Sequence, residues 1–255
     1  MIVGFGVSGN GKNLLIRGIG PGLAAFGITD FLAAPILTLY NADGTIEATD
    51  SGWQVNSSGQ NDGALIAATA ASVGAFPLAN GSLDSAVLVT VNSSAQMTGH
   101  LTTNGTPGVG LFEIYDVGGN PDASLTNVSA RMEISDSTSA HIAGFVISGN
   151  SPKTVLIRGV GPTLSEFGVS GVLPDPEITV FSENTQIAGN SNWATGTSTA
   201  GQIASVSAQL GAFALQPGSN DDAIIITLPP GSYTVQITSV SGATGVALIE
   251  IYDAQ

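Results

Sequence analysis

Residues 2–27 read IVGFGVSGNGKNLLIRGIGPGLAAFG, and residues 142–168 read IAGFVISGNSPKTVLIRGVGPTLSEFG. Sixteen of the 26 positions in the first stretch are identical in the second when Pro152 is treated as an insertion. Further matches follow in the same order: Trp53 with Trp193, VGAFPL (73–78) with LGAFAL (210–215), and LFEIYD (111–116) with LIEIYD (248–253). Self-similarity that continues through the chain indicates an internal duplication. We therefore expect two copies of one structural unit.

Each copy alternates short apolar runs with turn residues, which is typical of β-strands. In the second copy this pattern predicts strands near 142–148, 153–158, 177–182, 222–228, 232–239 and 245–252. Two short helices are predicted, at 163–167 and at about 201–210, with first-copy counterparts at 23–26 and around Ile66 to Val73. So many strands without a βαβ rhythm predict an all-β protein of two tandem antiparallel β-sandwich domains, jelly-roll-like, with short helical insertions.

The predicted domains are residues 1–116, residues 117–140 as a linker with an entry strand, and residues 141–255. In the linker, Leu125–Ile134 alternates as a half-buried strand should. Five of its side chains share one face: Thr126, Val128, Ala130, Met132 and Ile134. Copy one begins at Ile2 with no such strand before it, so we expect it to lack one. Two alternatives stay open: the chain starts at an arbitrary point, or this strand serves copy one and leaves copy two short.

The composition argues against several classes of partner. The formal net charge is −14 and charged residues make up only 9% of the chain. Phosphate backbones and anionic lipids would repel such a protein, so nucleic acid and membrane surfaces are poor partners. The absence of cysteine excludes disulfides and thiolate sites. No run approaches 18 apolar residues, and Met1 to Val7 does not read as a signal peptide, so an exported form would have lost its leader.

Several of these segments together resemble a known repeat. GFVISGN (144–150), KTVLIRGVGPTLSEFGV (153–169), the Trp193 turn, LGAFAL and PGSYTVQITSVSGATGVALIEIYD (230–253) resemble a repeat found many times in large secreted bacterial proteins. The stretch Asn127-Val-Ser-Ala-Arg looks like the entry strand of that repeat. The closing segment is similar, more loosely, to the bacterial pre-peptidase C-terminal β-sandwich. The resemblance implies a secreted, extracellular or cell-surface module in a β-sandwich array, and it brings no catalytic or ligand-binding residues with it.

Two charged residues lie in apolar strands in each copy. Arg17 and Arg158 end the runs LLIR and VLIR, while Glu113 and Glu250 interrupt FEIY and IEIY in matching places. A charge in apolar surroundings needs a partner. We therefore predict the ion pairs Arg17–Glu113 and Arg158–Glu250.

Other polar and aromatic residues admit a binding interpretation and a structural one. Trp53 and Trp193 could stack on a glycan or anchor their loops against the sandwich. Asp and Asn in turns could hold calcium, which prefers oxygen ligands on loops, or could serve the turns themselves. The calcium candidates are Asp50, Asp175, Asn190, Asp221 and Asp222.

The motifs associated with catalysis are missing from the sequence. His100 and His141 occupy non-equivalent positions, and no nucleophile elbow accompanies them. The run Gly18-Ile-Gly-Pro-Gly resembles a phosphate cradle only superficially, because proline removes a donor that a cradle needs. We expect no enzyme activity, no cofactor apart from the open question of calcium, and a structural protein that self-associates into a fibre, surface layer or array by inter-subunit strand complementation. The alternative is a glycan- or protein-binding adhesion module.

Overall fold

The computed structural model describes residues 1–56, 58–92, 94–105, 107–135 and 140–254. The chain divides into two compact units, Met1–Thr126 and Asn127–Gln255. Both consist mainly of antiparallel strands, which confirms the prediction of an all-β sandwich fold. Part of the predicted linker, residues 136–139, lies outside the described residues. No helix in the described segments has the length and hydropathy needed to cross a lipid bilayer.

Unit 1 holds seven strands that precede the boundary between the units. They are β1 (Ile2–Ser8), β2 (Lys12–Ile19), β3 (Pro35–Tyr40), β4 (Ile46–Asp50), β5 (Ser85–Val91), β6 (Ala95–Thr103) and β7 (Leu111–Gly119). A 3₁₀ helix spans Pro21–Phe26 and α1 spans Gly63–Ser72. The strands follow the orders β1-β6-β3-β4 and β5-β2-β7, and every pair is antiparallel.

Unit 2 repeats this arrangement with one further strand. Its strands are β8 (Ser124–Ile134, whose first three residues lie before the boundary), β9 (His141–Ile147), β10 (Lys153–Val160), β11 (Pro176–Ser182), β12 (Thr185–Asn190), β13 (Asp222–Leu228), β14 (Gly231–Ser239) and β15 (Gly245–Asp253). A 3₁₀ helix spans Pro162–Phe167 and α2 spans Ala200–Gln209. The strand orders are β9-β14-β11-β12 and β13-β10-β15-β8. Strand β12 was not predicted, because Thr185–Asn190 contains only two apolar residues.

The side chains of the run VLIR are buried on both faces of the sheet, which explains why apolar and polar residues do not alternate in it. In unit 2, Val155 and Ile157 of β10 pack in the core between the two sheets. Leu156 points to the opposite face, where α2 and Trp193 cover it. In unit 1, Leu15 lies in the equivalent cluster with Trp53 and Ile66 of α1. Each helix therefore closes a second, smaller core on the outer face of one sheet.

The two 3₁₀ helices have the same start and stop signals. Proline occupies the first turn of each, at Pro21 and Pro162, where a missing N–H costs no hydrogen bond. Gly27 and Gly168 end them in the left-handed region, at φ 81° and 76°. Thr199 is the N-cap residue of helix α2 and forms a capping box with Gln202. Local sequence signals thus determine where these helical insertions begin and end.

The two cores fill the same space with different side chains. A Cβ atom built on Gly99 would lie 2.3 Å from Cζ of Phe112, so the phenylalanine ring occupies that space. Gly99 pairs with β1 at Val3, and the equivalent Val235 pairs with β9 at Ala143. Ile249 replaces Phe112 opposite the equivalent glycine of β10. The large Phe112 side chain and the absent side chain of Gly99 in unit 1 therefore correspond to the medium-sized Ile249 and Val235 side chains in unit 2.

We expect Gly99→Val to destabilise unit 1 by about 1–3 kcal/mol, because the added atoms overlap the Phe112 ring. Adding Phe112→Ile should recover most of that loss, since the pair then matches Val235 and Ile249. Urea denaturation of the two variants and the native chain tests this. Equal stability of the single and double variants would refute the compensation.

Candidate functional site

The predicted Arg17–Glu113 pair lies on the outer face of the β5-β2-β7 sheet. The β2–β7 register places the two residues opposite each other. Arg17 Nε donates to Glu113 Oε2 at 2.8 Å, and Nη2 lies 2.7 Å from the same oxygen. Arg17 Nη1 donates to the Phe76 carbonyl at 2.7 Å, and the guanidinium lies 4.5 Å from the Phe76 ring centroid. Tyr115 donates its hydroxyl to Glu113 Oε1 at 2.8 Å.

Unit 2 builds the same cluster from the equivalent residues. Arg158 Nε lies 2.8 Å from Glu250 Oε2, in an ion-pair contact rather than a well-aligned hydrogen bond. Arg158 Nη1 donates to the Phe213 carbonyl at 2.6 Å, and Tyr252 donates to Glu250 Oε1 at 2.8 Å. Burial raises the pKa of the Glu250 carboxyl, and the charge of Arg158 opposes that rise. These carboxylates are held by neighbouring side chains, which makes the cluster a structural one.

The clusters explain the repeated GAF motif. Each arginine binds the carbonyl of the motif's phenylalanine and stacks on its ring, at Phe76 and Phe213. The segment after each α-helix is thereby fixed to the sheet by a charged side chain that itself lies in the sheet. Sequence reasoning predicted the ion pairs but missed the two phenylalanines, although VGAFPL and LGAFAL recur at matching places.

Replacing Glu250 by glutamine should destabilise unit 2 by about 3–5 kcal/mol, because Arg158 would remain buried without a counter-charge. The matched substitution Glu113→Gln should cost less, about 1.5–3 kcal/mol. The reason is that the Glu113 side chain is 14% exposed and the Glu250 side chain only 5%. Chemical denaturation of both variants measures the difference. A larger loss for Glu113→Gln would contradict this account of their environments.

Trp53 and Trp193 are buried beneath the helical insertions, with exposures of 3% and 7%. Trp53 packs against Ile66 of α1 and donates its indole N–H to the Ala79 carbonyl and to Ser82 Oγ, both at 3.2 Å. Trp193 packs against Ile203 of α2. Neither ring offers a free face to a sugar, so both side chains act as loop anchors.

The aspartates among the calcium candidates accept hydrogen bonds from the protein itself. Asp221 accepts from the backbone N–H groups of Gly161 and Thr163, and Asp84 does the same for Gly20 and Gly22. Asp175 accepts from Ser239 Oγ and the Ser241 N–H. Within the described ranges, no three His, Asp or Glu side chains gather as a metal site would require. Asp84 and Asp221 also occupy the donors of the glycine turns that resemble a phosphate cradle.

The remaining candidates, Asp50, Asn190 and Asp222, occupy equivalent strand pairs in the two units, but the carboxylate is on a different strand in each unit. In unit 1, Asp50 on β4 accepts from the Ala86 N–H at 2.9 Å, and Ser85 on β5 donates to the Asp50 carbonyl at 3.1 Å. In unit 2, Asn190 on β12 donates to Asp222 on β13 at 2.6 Å. The buried carboxylate thus lies on the first strand of the pair in one unit and on the second in the other.

Burial raises the pKa of Asp222 to about 7, although it accepts hydrogen bonds from the Ile178 and Ala223 N–H groups and from Asn190. A folded pKa above the unfolded value means that folding favours the protonated carboxyl. The stability that this group contributes is therefore present below about pH 4 and is lost as the pH rises to about 7.

The Asp222→Asn variant should lack this titration. We expect its unfolding free energy, relative to that of the native chain, to rise between pH 4 and pH 7 by about 2–4 kcal/mol. Urea denaturation across this range measures it, and carbon-13 NMR of the carboxyl gives the pKa directly. A constant difference between the two chains, with Asp222 titrating below pH 5, would contradict the assignment.

The two histidines lie in different units and different environments. His141 is buried at the start of β9, and burial lowers its pKa to about 4, so its imidazole is neutral at neutral pH. Neither of its ring nitrogens has a hydrogen-bond partner among the described residues. The His100 ring lies 4.7 Å from the Tyr40 ring, centroid to centroid.

The largest difference between the units is the outer edge of their last strand. In unit 2, β8 pairs with β15 from Asn127 opposite Tyr252 to Ile134 opposite Gly245. The predicted entry strand therefore pairs with the last strand of unit 2. In unit 1, the equivalent β7 pairs with β2, and no strand of the described chain pairs with its other side in the β5-β2-β7 sheet.

The open edge changes the environment of matching side chains. Ile249, Glu250, Ile251 and Tyr252 of β15 are all buried. Their counterparts on β7, residues 112–115, are all partly exposed. On the side away from β2, about half of the β7 residues direct a backbone N–H and C=O outward. The outer edge of β7, residues 111–117, is therefore the candidate functional site.

Comparisons with known proteins add little to this geometry. No family model matches the chain, and a search of curated proteins finds no match. Among solved structures, a PNGF-II structure matches at 10% identity and a TM-score of 0.24 over 96% of this chain. A putative secreted protein from Eubacterium rectale matches at 10% identity and a TM-score of 0.21 over 96% of this chain and 66% of that one. The chain spans 57% of the PNGF-II chain, and similarity this low supports no functional argument.

Proposed function

We propose that the protein is a non-catalytic, exported structural protein, a building block of an extracellular fibre, surface layer or surface array. Its two units would be tandem jelly-roll-like domains. The strand orders of unit 2 support this, because β8-β15-β10-β13 and β9-β14-β11-β12 have the connectivity of a double Greek key. Unit 1 follows the same orders with one strand fewer. The resemblance to a repeat of secreted bacterial proteins supports the location.

The observation that carries the assembly role is the open edge of β7. A strand edge with unpaired backbone groups is a template for pairing with another chain. Natural proteins protect such edges with proline, lysine or a bulge placed outward. The sequence of β7, LFEIYDVGG, contains neither proline nor lysine, and its register irregularity against β2 lies at the far end of the strand, after Asp116. Addition of a neighbour to this edge is a heterologous contact, which continues from subunit to subunit unless the rotation closes a ring.

The alternative, a glycan- or protein-binding adhesion module, has weaker support. The buried tryptophans do not provide a stacking platform. An open groove of about 460 Å³ in unit 2 is lined by Pro162, Pro174, Gln216 and Asn220 among others. Its uncharged polar groups could accept a sugar, so the groove is the surface that a glycan screen would probe.

The assembly role predicts that the native chain forms oligomers or filaments that grow with protein concentration and with salt, because salt screens the repulsion between chains of charge −14. Analytical ultracentrifugation and negative-stain microscopy measure this. A chain that stays monomeric at every concentration and salt level would refute the assembly role.

A matched variant supplies a β8-type strand for unit 1 within the same polypeptide. It carries a second copy of residues 124–140 directly before Ile2, which reproduces the connection from β8 to β9 in unit 2. We expect this chain to remain monomeric, with unit 1 more stable than in the native chain. The control has the same extension in scrambled order and should assemble as the native chain does. Equal assembly of all three chains would show that the contact lies elsewhere.

A further inference from the structure

We infer that the outer edge of β7 is a receptor for one kind of partner, an extended polypeptide strand of the β8 type that adds antiparallel and in a fixed register. This inference rests on the proposed function and states the chemistry of the strand that a partner would add at its assembly site, because each chain's own β8 already pairs with β15. The duplication supplies the template, because the same edge in unit 2 already holds such a strand.

The register follows from equivalent strand pairs. Arg17 lies opposite Glu113 and Arg158 lies opposite Glu250, so β7 and β15 occupy the same position beside β2 and β10. In unit 2, β8 places Ala130 opposite Ile249, Ser129 opposite Glu250 and Val128 opposite Ile251. Transferred to unit 1, the incoming strand places a small apolar residue opposite Phe112, a small polar residue opposite Glu113 and a β-branched residue opposite Ile114.

The side chains of β8 show which kind of strand the outer edge of β7 would accept. Ile134 is buried in the core of unit 2, and Ala130 packs against that core. The alternate residues Arg131 and Glu133 are exposed. An alternating segment buries its apolar face in the open end of the sandwich and keeps its polar face in water. A small residue opposite Phe112 is required there, because the larger ring already fills the space above Gly99.

Charge favours this occupant over a second β7. Strand β7 carries Glu113 and Asp116 and no basic residue. Two copies of β7 paired with each other would bring four carboxylates to one short ribbon, where the ion pairs with Arg17 and Lys12 on β2 only partly offset the repulsion between facing strands. The segment 124–135, SLTNVSARMEIS, has one arginine and one glutamate and is therefore neutral. Its arginine would lie opposite Leu111, two residues along the strand from Glu113.

A synthetic peptide of residues 124–135 with blocked ends tests the inference on the full native chain. We expect saturable 1:1 binding by fluorescence anisotropy. Hydrogen exchange should show new protection of the amides of residues 111–117, and β15 should stay unchanged. A scrambled peptide should not bind. The peptide with Ser129→Glu should bind about fivefold more weakly, because it places a carboxylate opposite Glu113.

The outcomes separate this inference from the assembly role. Binding at β7 by a chain that never assembles would uphold the inference and refute self-assembly. Assembly that the peptide neither blocks nor reverses, with no protection at 111–117, would refute the inference and leave assembly to another surface. Protection at another edge, such as β5, or equal binding of the scrambled peptide would also overturn it.

Discussion

Backbone hydrogen bonding along the last strand of each unit is the constraint on which this account depends. A strand inside a sheet needs partners on both sides, because buried N–H and C=O groups without partners are costly. Strand β15 has β10 on one side and β8 on the other, and its side chains from Ile249 to Tyr252 are buried. Strand β7 has the same sequence pattern but one strand partner within its sheet. One strand more or less thus separates a last strand with partners on both sides from one with an open edge.

Duplication makes the two units controls for each other. The arginine clusters are the same in both, which indicates that fixing the segment after each helix is a shared requirement of the fold. Other residue pairs differ but compensate. Phe112 and Gly99 in unit 1 correspond to Ile249 and Val235 in unit 2. The buried carboxylate belongs to Asp50 on the first strand of its pair in unit 1 and to Asp222 on the second strand in unit 2. In each case the volume or the charge is retained while the residues change. Such exchanges show which physical quantity the fold conserves at each place.

The sequence predicted the fold class, most strands and both short helices, because hydrophobic alternation, proline and glycine are local signals. It also predicted the partners of Arg17 and Arg158, because isolated charges in apolar strands need each other. It missed β12, which lies at the end of its sheet and is mostly polar, and it missed Phe76 and Phe213, whose contacts with arginine join distant segments. It left open which unit uses Leu125–Ile134, since strand pairing depends on the three-dimensional position of β15 and not on local pattern. The sequence could not show whether the turn carboxylates bind calcium or accept backbone hydrogen bonds, because a cation and a backbone N–H group prefer the same carboxylate oxygen.

The most direct test of the open edge is native-state hydrogen exchange, compared between β7 and β15 at a concentration low enough to keep the chain monomeric. The two strands share the pattern of LFEIYD and LIEIYD, so differences in intrinsic exchange between them are small. We predict that amides on the outer side of β7 exchange through local opening, orders of magnitude faster than their counterparts in β15, which should exchange only through larger unfolding. Equal protection of matched amides in the monomer would mean that β7 already has a partner, and it would contradict the central claim.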